Sequence, residues 1–369
     1  MAPETKRSSG AIRIGVSSCL LGAEVRFDGQ HKRNDFLVDE LGPLVEWVPV
    51  CPEVEVGMGI PRESVRLVRG PAGRSLMLGH ENKLLRNPKT GSKPPSTTPR
   101  GQTRAGAPAM GSLEQSSSSP DAYEDWTDRM EAYAARRVAR LATLNLRGYV
   151  LKSRSPSCGM ERVNLYANAD PKSRTQPTKT GVGLFAAELL RALPDLPVEE
   201  EGRLSDARLR ENFIERVFAY HRLLQLWETR WTIRDLITFH TAQKMALLAH
   251  STDGYRALGR LVAEGKKLPR GELRTRYQTG FMATLRKLAT PGRQANVLMH
   301  MMGHLRDGLD DGDRGELLAT IDDHRRGLVP LVVPVVLIRH HARRLAVSYL
   351  LGQTYLEPHP KELMLRNRV

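Results

Sequence analysis

Apolar and polar positions follow two different patterns along the chain. In the first part, short apolar runs alternate with turn residues: AIRIGVSS and VEWVPV predict β-strands, and FLVDELGPL between them predicts a helix. The stretch SVRLVRGPAGRSLMLG, residues 64–79, has two apolar runs around a Gly-Pro turn and predicts a hairpin. The chain therefore begins as a mixture of strands and helices.

A polar segment interrupts this pattern at about residues 86–123. It is rich in Pro, Gly, Ser and Thr and offers little to bury, so we expect a disordered insertion. After it, residues 126–146 show amphipathic helical periodicity, RGYVLKS predicts a strand, and residues 181–193 predict another helix. This alternation predicts an α/β domain over residues 11–195, with a parallel-type sheet and helices on its faces. Residues 1–10 precede it as a polar tail.

A second domain is expected after the segment PDLPVEEEG, residues 194–202, whose prolines, acidic residues and glycine are typical of a boundary. Beyond it, nearly every stretch has helical periodicity. The first helix begins with Ser205 as its cap, and the last one runs from about residue 331 to 352. We therefore expect an all-α helical bundle over residues 199–369.

Composition narrows the class of protein. The net charge of +15 and the isoelectric point of about 10.0 fit either a solvated basic surface or a polyanionic partner. The N-terminus lacks the apolar core of a secretory signal, and the most apolar stretch, residues 327–338, is too short to span a bilayer. Three cysteines suit a reducing compartment better than a disulfide framework. We expect a cytoplasmic protein without membrane association, and we infer no obligate protein partner.

The three cysteines are the strongest chemical signal. Cys19, Cys51 and Cys158 each follow a predicted strand and lie in turns of small or rigid residues. The carboxyl ends of parallel strands meet at one edge of an open sheet, so these distant thiols can converge there. The alternative is three unrelated buried cysteines, since free cysteine is among the most buried residue types. The turns favour a shared site, because they let backbone N–H groups approach a sulfur-rich anion.

Three thiolates restrict the metal group that such a site can hold. Structural zinc usually takes four ligands, whereas a [4Fe–4S] cluster held by three thiolates leaves one iron open. Glu53, two residues after Cys51, is a candidate for activating water, although helix capping or an arginine partner would also explain it. Ser155 and Ser157 carry hydroxyls that either orient a substrate or complete the turn. A zinc site or a metal-free structural site stays open.

The stretches IGVSSCLLGAEVRFDGQHKRN, PVCPEVEVGMGIPRE and LKSRSPSCG together resemble the thiouracil desulfidase family. The second domain resembles the helical domain often fused to it, in stretches such as FHTAQKMALLAH and YLEPHPKELMLRN. The resemblance implies an α/β domain that holds a [4Fe–4S] cluster through Cys19, Cys51 and Cys158, with the substrate sulfur on the free iron.

The resemblance also implies roles for other residues. Glu53 corresponds best to the family's catalytic glutamate and Ser155 to its catalytic serine, with Glu55 and Ser157 as the alternatives. Water would replace sulfur at the ring carbon, without net redox change, and sulfide would be released.

The fused architecture resembles bacterial desulfidases that remove sulfur from 4-thiouridine in tRNA. The basic segments at residues 265–278 and 340–345 fit a tRNA partner, and we expect residues 199–369 to bind RNA. Two other functions stay open. One is desulfuration of free thiouracil-type bases, and the other is a non-catalytic iron–sulfur sensor that binds nucleic acid.

Overall fold

The structure is a computed structural model, and it describes residues 11–71, 75–80, 123–168 and 175–368. The polar tail and nearly all of the insertion predicted at about residues 86–123 lie outside these residues. In the part of the chain that is described, no helix combines the length and apolar character needed to cross a lipid bilayer.

Strands occur almost entirely in the first part of the chain. The described residues contain β1 (Arg13–Ser17), β2 (Glu46–Val50), β3 (Val65–Arg69), β4 (Ser75–His80), β5 (Tyr123–Asp125), β6 (Gly148–Leu151), β7 (Val163–Tyr166), β8 (Thr178–Gly181) and β9 (Val198–Glu200).

These strands form two sheets. The first has the order β2-β1-β6-β9, and every neighbouring pair in it is parallel. The second has the order β5-β4-β3-β7-β8 and is antiparallel except for the β3–β7 pair. The predicted parallel sheet and the predicted hairpin of β3 and β4 are both present. The second sheet, which is built on that hairpin, is not predicted by the local sequence pattern.

Helices surround the parallel sheet and make up nearly all of the rest. The α-helices of the described residues are α1 (Pro52–Glu55), α2 (Thr127–Ala142), α3 (Leu184–Ala192), α4 (Ala207–Glu228), α5 (Ile233–Ala242), α6 (Lys244–His250), α7 (Thr252–Ala263), α8 (Arg270–Leu285), α9 (Pro291–Gly303), α10 (Asp311–Arg326), α11 (Val332–Arg344) and α12 (Ser348–Leu351), and the segment predicted as the first helix forms a π-helix, Phe36–Leu41. The predicted fold class, an α/β domain followed by a helical domain, is confirmed.

The parallel sheet is covered on both faces, as such sheets require. Side chains alternate along β6: Tyr149 and Leu151 join the core formed with α2 and α3, and Val150 joins the core on the opposite face. That opposite core includes Phe213 and Val217 of α4. The first helix of the helical domain therefore supplies part of the cover of the sheet, and the two domains share a hydrophobic core.

The segment expected to be a domain boundary contains a strand. Residues 196–200 are buried, and β9 forms the fourth strand of the parallel sheet beside β6. Prolines and acidic residues made this segment resemble a linker. The carboxylates are nevertheless accommodated: Glu199 pairs with Arg203 at 2.6 Å, and Glu200 accepts the backbone N–H of Met160 at 2.7 Å.

Two helix ends differ from the predictions. The cap of α4 is Asp206, whose carboxylate accepts the N–H groups of Arg208 and Leu209, and not Ser205. The last predicted helix is two helices, α11 and α12, separated at Ala346, which has a φ of 54°. A residue with a left-handed backbone conformation does not continue a helix, and the hydrophobic periodicity of the sequence does not reveal where such a residue lies.

Candidate functional site

The three cysteines lie at the carboxyl ends of three adjacent strands. Cys19 is in a helical turn directly after β1, Cys51 precedes α1 directly after β2, and Cys158 follows β6 by seven residues. Because β2, β1 and β6 are parallel neighbours, their ends meet at one edge of the sheet. The three side chains line a single cavity of about 290 Å³.

The thiols of this cavity influence one another electrostatically. Burial, followed by the neighbouring Cys51, raises the pKa of Cys19 to about 11. Burial likewise raises the pKa of Cys158, and Glu53 and the other two cysteines add to that rise. The pKa of Cys51 is also raised, chiefly by burial. All three are free cysteines, and burial outweighs the neighbouring cations: Lys152 and Arg26 lower the pKa of Cys19 and Arg62 lowers that of Cys51, but each pKa stays raised.

The turn that carries Cys158 is held from both sides. Ser155 accepts the backbone N–H of Cys158 at 3.2 Å through its hydroxyl, and its carbonyl accepts Gly159 N–H at 2.8 Å. A Cβ on Gly183, just before α3, would lie 2.5 Å from the Ser157 carbonyl carbon and oxygen. Glycine is therefore required for α3 to start against this turn, and the rigid junction fixes the position of the sulfur.

Glu53 is the one carboxylate among the described residues that line the cavity. It lies in the first turn of α1, and its Oε2 forms a short ion pair with Arg62, whose side chain is 4% exposed. Its Oε1 accepts the hydroxyls of Ser157 at 2.7 Å and of Ser155 at 3.2 Å. The carboxylate that follows Cys51 is thus held in one orientation at the cavity wall.

The structure separates the two candidate glutamates. Glu55 does not line the cavity: its Oε1 accepts the Cys51 N–H at 3.2 Å, and its Oε2 contacts Tyr133 at 2.8 Å and Arg137 at 3.0 Å. Glu53 is the glutamate brought to the thiols. The two candidate serines are not separated in this way, since Ser155 and Ser157 both line the cavity and lie 2.9 Å apart.

Several cavity residues were not identified as such from the sequence. Arg62 orients Glu53 and also donates to the carbonyls of Val25 and Gly59. Lys152 pairs with Glu201. The loop EVRFDGQHKRN, residues 24–34, whose charged residues after Cys19 suggest anion or base contacts from the sequence, contributes Arg26 and Phe27. Phe27 is 41% exposed. In the sequence, the signal that could have identified Phe27 is that it is a single aromatic residue within the polar stretch RFDGQHKRN.

The histidines of the helical domain do not extend this site. His240 is buried, stacks on Tyr255 with ring centroids 5.4 Å apart, and hydrogen-bonds Tyr277 at 3.1 Å. Burial lowers the pKa of His240 to about 4, so it packs as a neutral ring. Among the described residues, no group of three or more His, Cys, Asp or Glu side chains has the geometry to hold a metal ion as placed.

The chain was also compared with known families. Residues 14–91 and 96–201 match the family described as 2-thiouracil desulfurase. Residues 244–360 match a family described as a protein of unknown function, DUF1722. The cavity residues all fall within the first match, and helices α6 to α12 fall within the second.

Two curated relatives and one solved structure are each similar to part of the chain. The uncharacterized protein YbgA of Escherichia coli (strain K12) is 34% identical over 161 residues, which are 43% of this chain and 95% of that protein. The uncharacterized protein YbbK of Bacillus subtilis (strain 168) is 29% identical over 149 residues, 40% of this chain and 72% of that protein. A solved structure named [4Fe-4S]-dependent thiouracil desulfidase TudS aligns with 53% of this chain and 93% of its own, at 23% identity and a TM-score of 0.34.

Proposed function

Since the chain belongs to the 2-thiouracil desulfurase family and carries a DUF1722 region, we propose that it is a [4Fe–4S]-dependent enzyme that removes sulfur from thiolated uracil. One observation carries the proposal beyond the family. Three free thiols from three strand ends line one cavity together with a carboxylate that is held in place. We assign Cys19, Cys51 and Cys158 to the cluster and Glu53 to catalysis.

The donor set fits this cofactor. Thiolates are the ligands that iron–sulfur clusters take, and binding of a positively charged iron centre would relieve the raised pKa values of these cysteines. When bound, a cluster with three protein ligands supplies an iron that can act as a Lewis acid towards a thiocarbonyl sulfur. The thiophilic iron would favour thiouracil over uracil.

The chain's own residues account for the hydrolytic part of the reaction. Glu53, oriented by Arg62 and hydrogen-bonded by Ser155 and Ser157, would take a proton from the attacking water, because among the described residues it is the carboxylate that lines the cavity. Ser155 would hold the base or return a proton. The water oxygen forms a bond to the ring carbon, the carbon–sulfur bond breaks, and sulfur leaves as hydrosulfide with no change in oxidation state.

We propose 4-thiouridine in tRNA as the substrate, with uridine as the product. The net charge of +15 supports a polyanionic partner. The helical domain contributes exposed cations from the loop before α8 and from α8 itself: Lys266, Lys267, Arg270, Arg274 and Arg276. The target base must leave its stack to reach buried thiols. Residues 199–369 would therefore bind the RNA while the cavity accepts the base.

The test is anaerobic purification of the full chain, iron analysis and detection of sulfide after addition of thiolated tRNA. We expect iron, visible absorption and sulfide release, with all three lost in Cys158→Ser. Sulfide from free 4-thiouracil but not from tRNA would replace the tRNA proposal with desulfuration of free bases. Iron without sulfide release from either substrate would leave an iron–sulfur protein that is not a desulfidase, and would contradict the proposal.

A further inference from the structure

The charges around the cavity do not balance. Four cationic side chains line it among the described residues, namely Arg26, Arg62, Lys152 and Arg154, against the single carboxylate of Glu53. Three of these cations have carboxylate partners, because Arg62 pairs with Glu53, Arg26 with Asp28 and Lys152 with Glu201. In the described part of the chain, Arg154 has no such partner. One positive charge at the cavity is therefore left for something that binds there.

Arg154 lies at the solvent side of the cavity. Its side chain is exposed, whereas Cys19 and Cys158 are 8% and 5% exposed and form the inner part. A thiolated base must reach the buried thiols, so the portion of the substrate beside Arg154 is whatever is attached to that base. In a nucleotide this portion is the ribose and its phosphate.

The backbone at Arg154 is strained and firmly anchored. Its φ is 59°, a left-handed conformation that a non-glycine residue adopts at a cost. The residues on both sides are fixed: Ser153 donates its N–H to Glu201 at 2.6 Å, and Ser155 bonds Glu53 and the Cys158 N–H. The loop therefore holds the start of this side chain in one place while its guanidinium stays free.

We propose that Arg154 binds the phosphate of a nucleotide substrate and so sets the preference of the cavity for nucleotides over free bases. A guanidinium presents a planar pair of donors that matches two phosphate oxygens, which a solvated lysine does not. This inference rests on the proposed desulfidase function, which it deepens by naming the group that distinguishes the substrate class.

The chain offers a closely matched control. Arg162 is also an exposed arginine with a left-handed φ, of 55°, but it does not line the cavity. The variants are Arg154→Gln, Arg154→Lys and Arg162→Gln, each in the full chain. The substrates are 4-thiouracil, 4-thiouridine, 4-thiouridine 5′-monophosphate and thiolated tRNA.

For Arg154→Gln we expect KM to rise about tenfold for the phosphate-bearing substrates, with kcat unchanged, because one charge-assisted contact is lost. KM for the base and the nucleoside should stay the same. Arg154→Lys should recover only part of the loss, and Arg162→Gln should behave as wild type. A rise with both the monophosphate and tRNA supports contact with the nucleotide's own phosphate, and a rise with tRNA alone supports contact with a neighbouring phosphate of the strand.

A binding measurement separates this inference from the proposed function. Affinity for unmodified uridine 5′-monophosphate and unmodified tRNA, measured against salt, needs no turnover. We expect Arg154→Gln to weaken binding and to lower the salt-dependence slope for tRNA by about 1. If wild type releases no sulfide from any substrate but this difference remains, the desulfidase proposal fails and the phosphate contact stands. Equal binding by wild type and Arg154→Gln, or equal loss with 4-thiouracil, would overturn the role of Arg154.

Discussion

Two buried groups of charges, one in each domain, contrast in how their members are paired. At the cavity, the carboxylate of Glu53 is held by Arg62 and faces two hydroxyls beside three thiols. In the helical domain, Glu215 of α4 lies 3.3 Å from His250 of α6. Nearby, Glu211 bonds Arg366 at 3.0 Å, and Arg366 donates to the Tyr355 carbonyl at 2.6 Å.

The difference lies in what the charges face. In the helical domain each carboxylate has a cationic partner on another element, so the pairs tie α4 to α6 and to the end of the chain. At the cavity, the same kind of pair leaves carboxylate and hydroxyl oxygens at the cavity wall next to thiols with long hydrogen bonds, 3.8 Å from Cys51 Sγ to the Val25 carbonyl and 3.8 Å from the Ser157 hydroxyl to Cys158 Sγ. A buried charged group alone does not indicate a functional site. A buried charged group that lines a cavity together with reactive side chains does indicate one.

Glu53→Gln should have the largest effect, a loss of turnover, accompanied by a loss of stability because the buried Arg62 loses its carboxylate partner. Loss of a general base lowers kcat by about 10² to 10⁴-fold, while the amide still fits beside Arg62. The measurement is sulfide release together with iron content, which should stay at the wild-type level. Glu55→Gln is the matched control, because Glu55 contacts Tyr133 and Arg137 outside the cavity. Retained turnover in Glu53→Gln combined with its loss in Glu55→Gln would reverse the assignment.

Glu215→Gln should lower the stability of the protein, and the fraction that folds should keep normal turnover. Removing one member of a buried ion pair leaves the other uncompensated and costs about 3–5 kcal/mol of unfolding free energy. Urea denaturation measures this loss. Glu272→Gln, in the exposed pair with Arg276 on α8, should change stability little. Similar losses in both variants would show that the buried cluster has no special structural role.

The smallest effect is a pH window in stability that belongs to the helical cluster. Burial alone would raise the pKa of Glu215, but His250 lowers it to about 2. The ionised Glu215 therefore contributes fully to stability above pH 4.5, and this contribution is lost as the pH falls from 4.5 towards 2. Burial would lower the pKa of His250, but Glu215 raises it above 6.5, so its contribution is present below 6.5 and is lost as pH rises through the raised pKa.

The pair should therefore stabilise the protein most between about pH 4.5 and 6.5. Unfolding free energies of wild type and Glu215→Gln, measured across pH, should differ most in that window. A difference independent of pH would mean that the loss comes from packing and not from charge.

The strands before the three cysteines were predictable because a run of β-branched residues followed by small residues is a local signal. The segment at residues 194–202 was assigned as a boundary because its composition favours loops, yet β9 pairs there with β6. Pairing with a distant strand outweighed local preference. The role of α4 in covering the sheet was likewise not visible, since its periodicity shows that it has apolar positions and not what they contact.

The candidate site was predicted in parts. The three cysteines, Glu53 and Ser155 were selected from their spacing and from the family resemblance, and the structure places all five at one cavity. Their chemical roles stay a prediction. Arg62 was named only as a possible ion-pair partner of Glu53, which it is, and Arg154 was missed, because an arginine in a polar stretch is normally a solvated surface residue.

The sequence by itself determined most of the element types, the division into an α/β part and a helical part, and the presence of three cysteines at predicted strand ends, since periodicity and residue chemistry are local properties. The tertiary structure alone decided that β2, β1 and β6 lie side by side and that Glu53 and not Glu55 lines the cavity. It also decided that, among the described residues, Arg154 is the cavity cation without a carboxylate partner. These facts depend on contacts between residues far apart in the chain, and local patterns do not encode them.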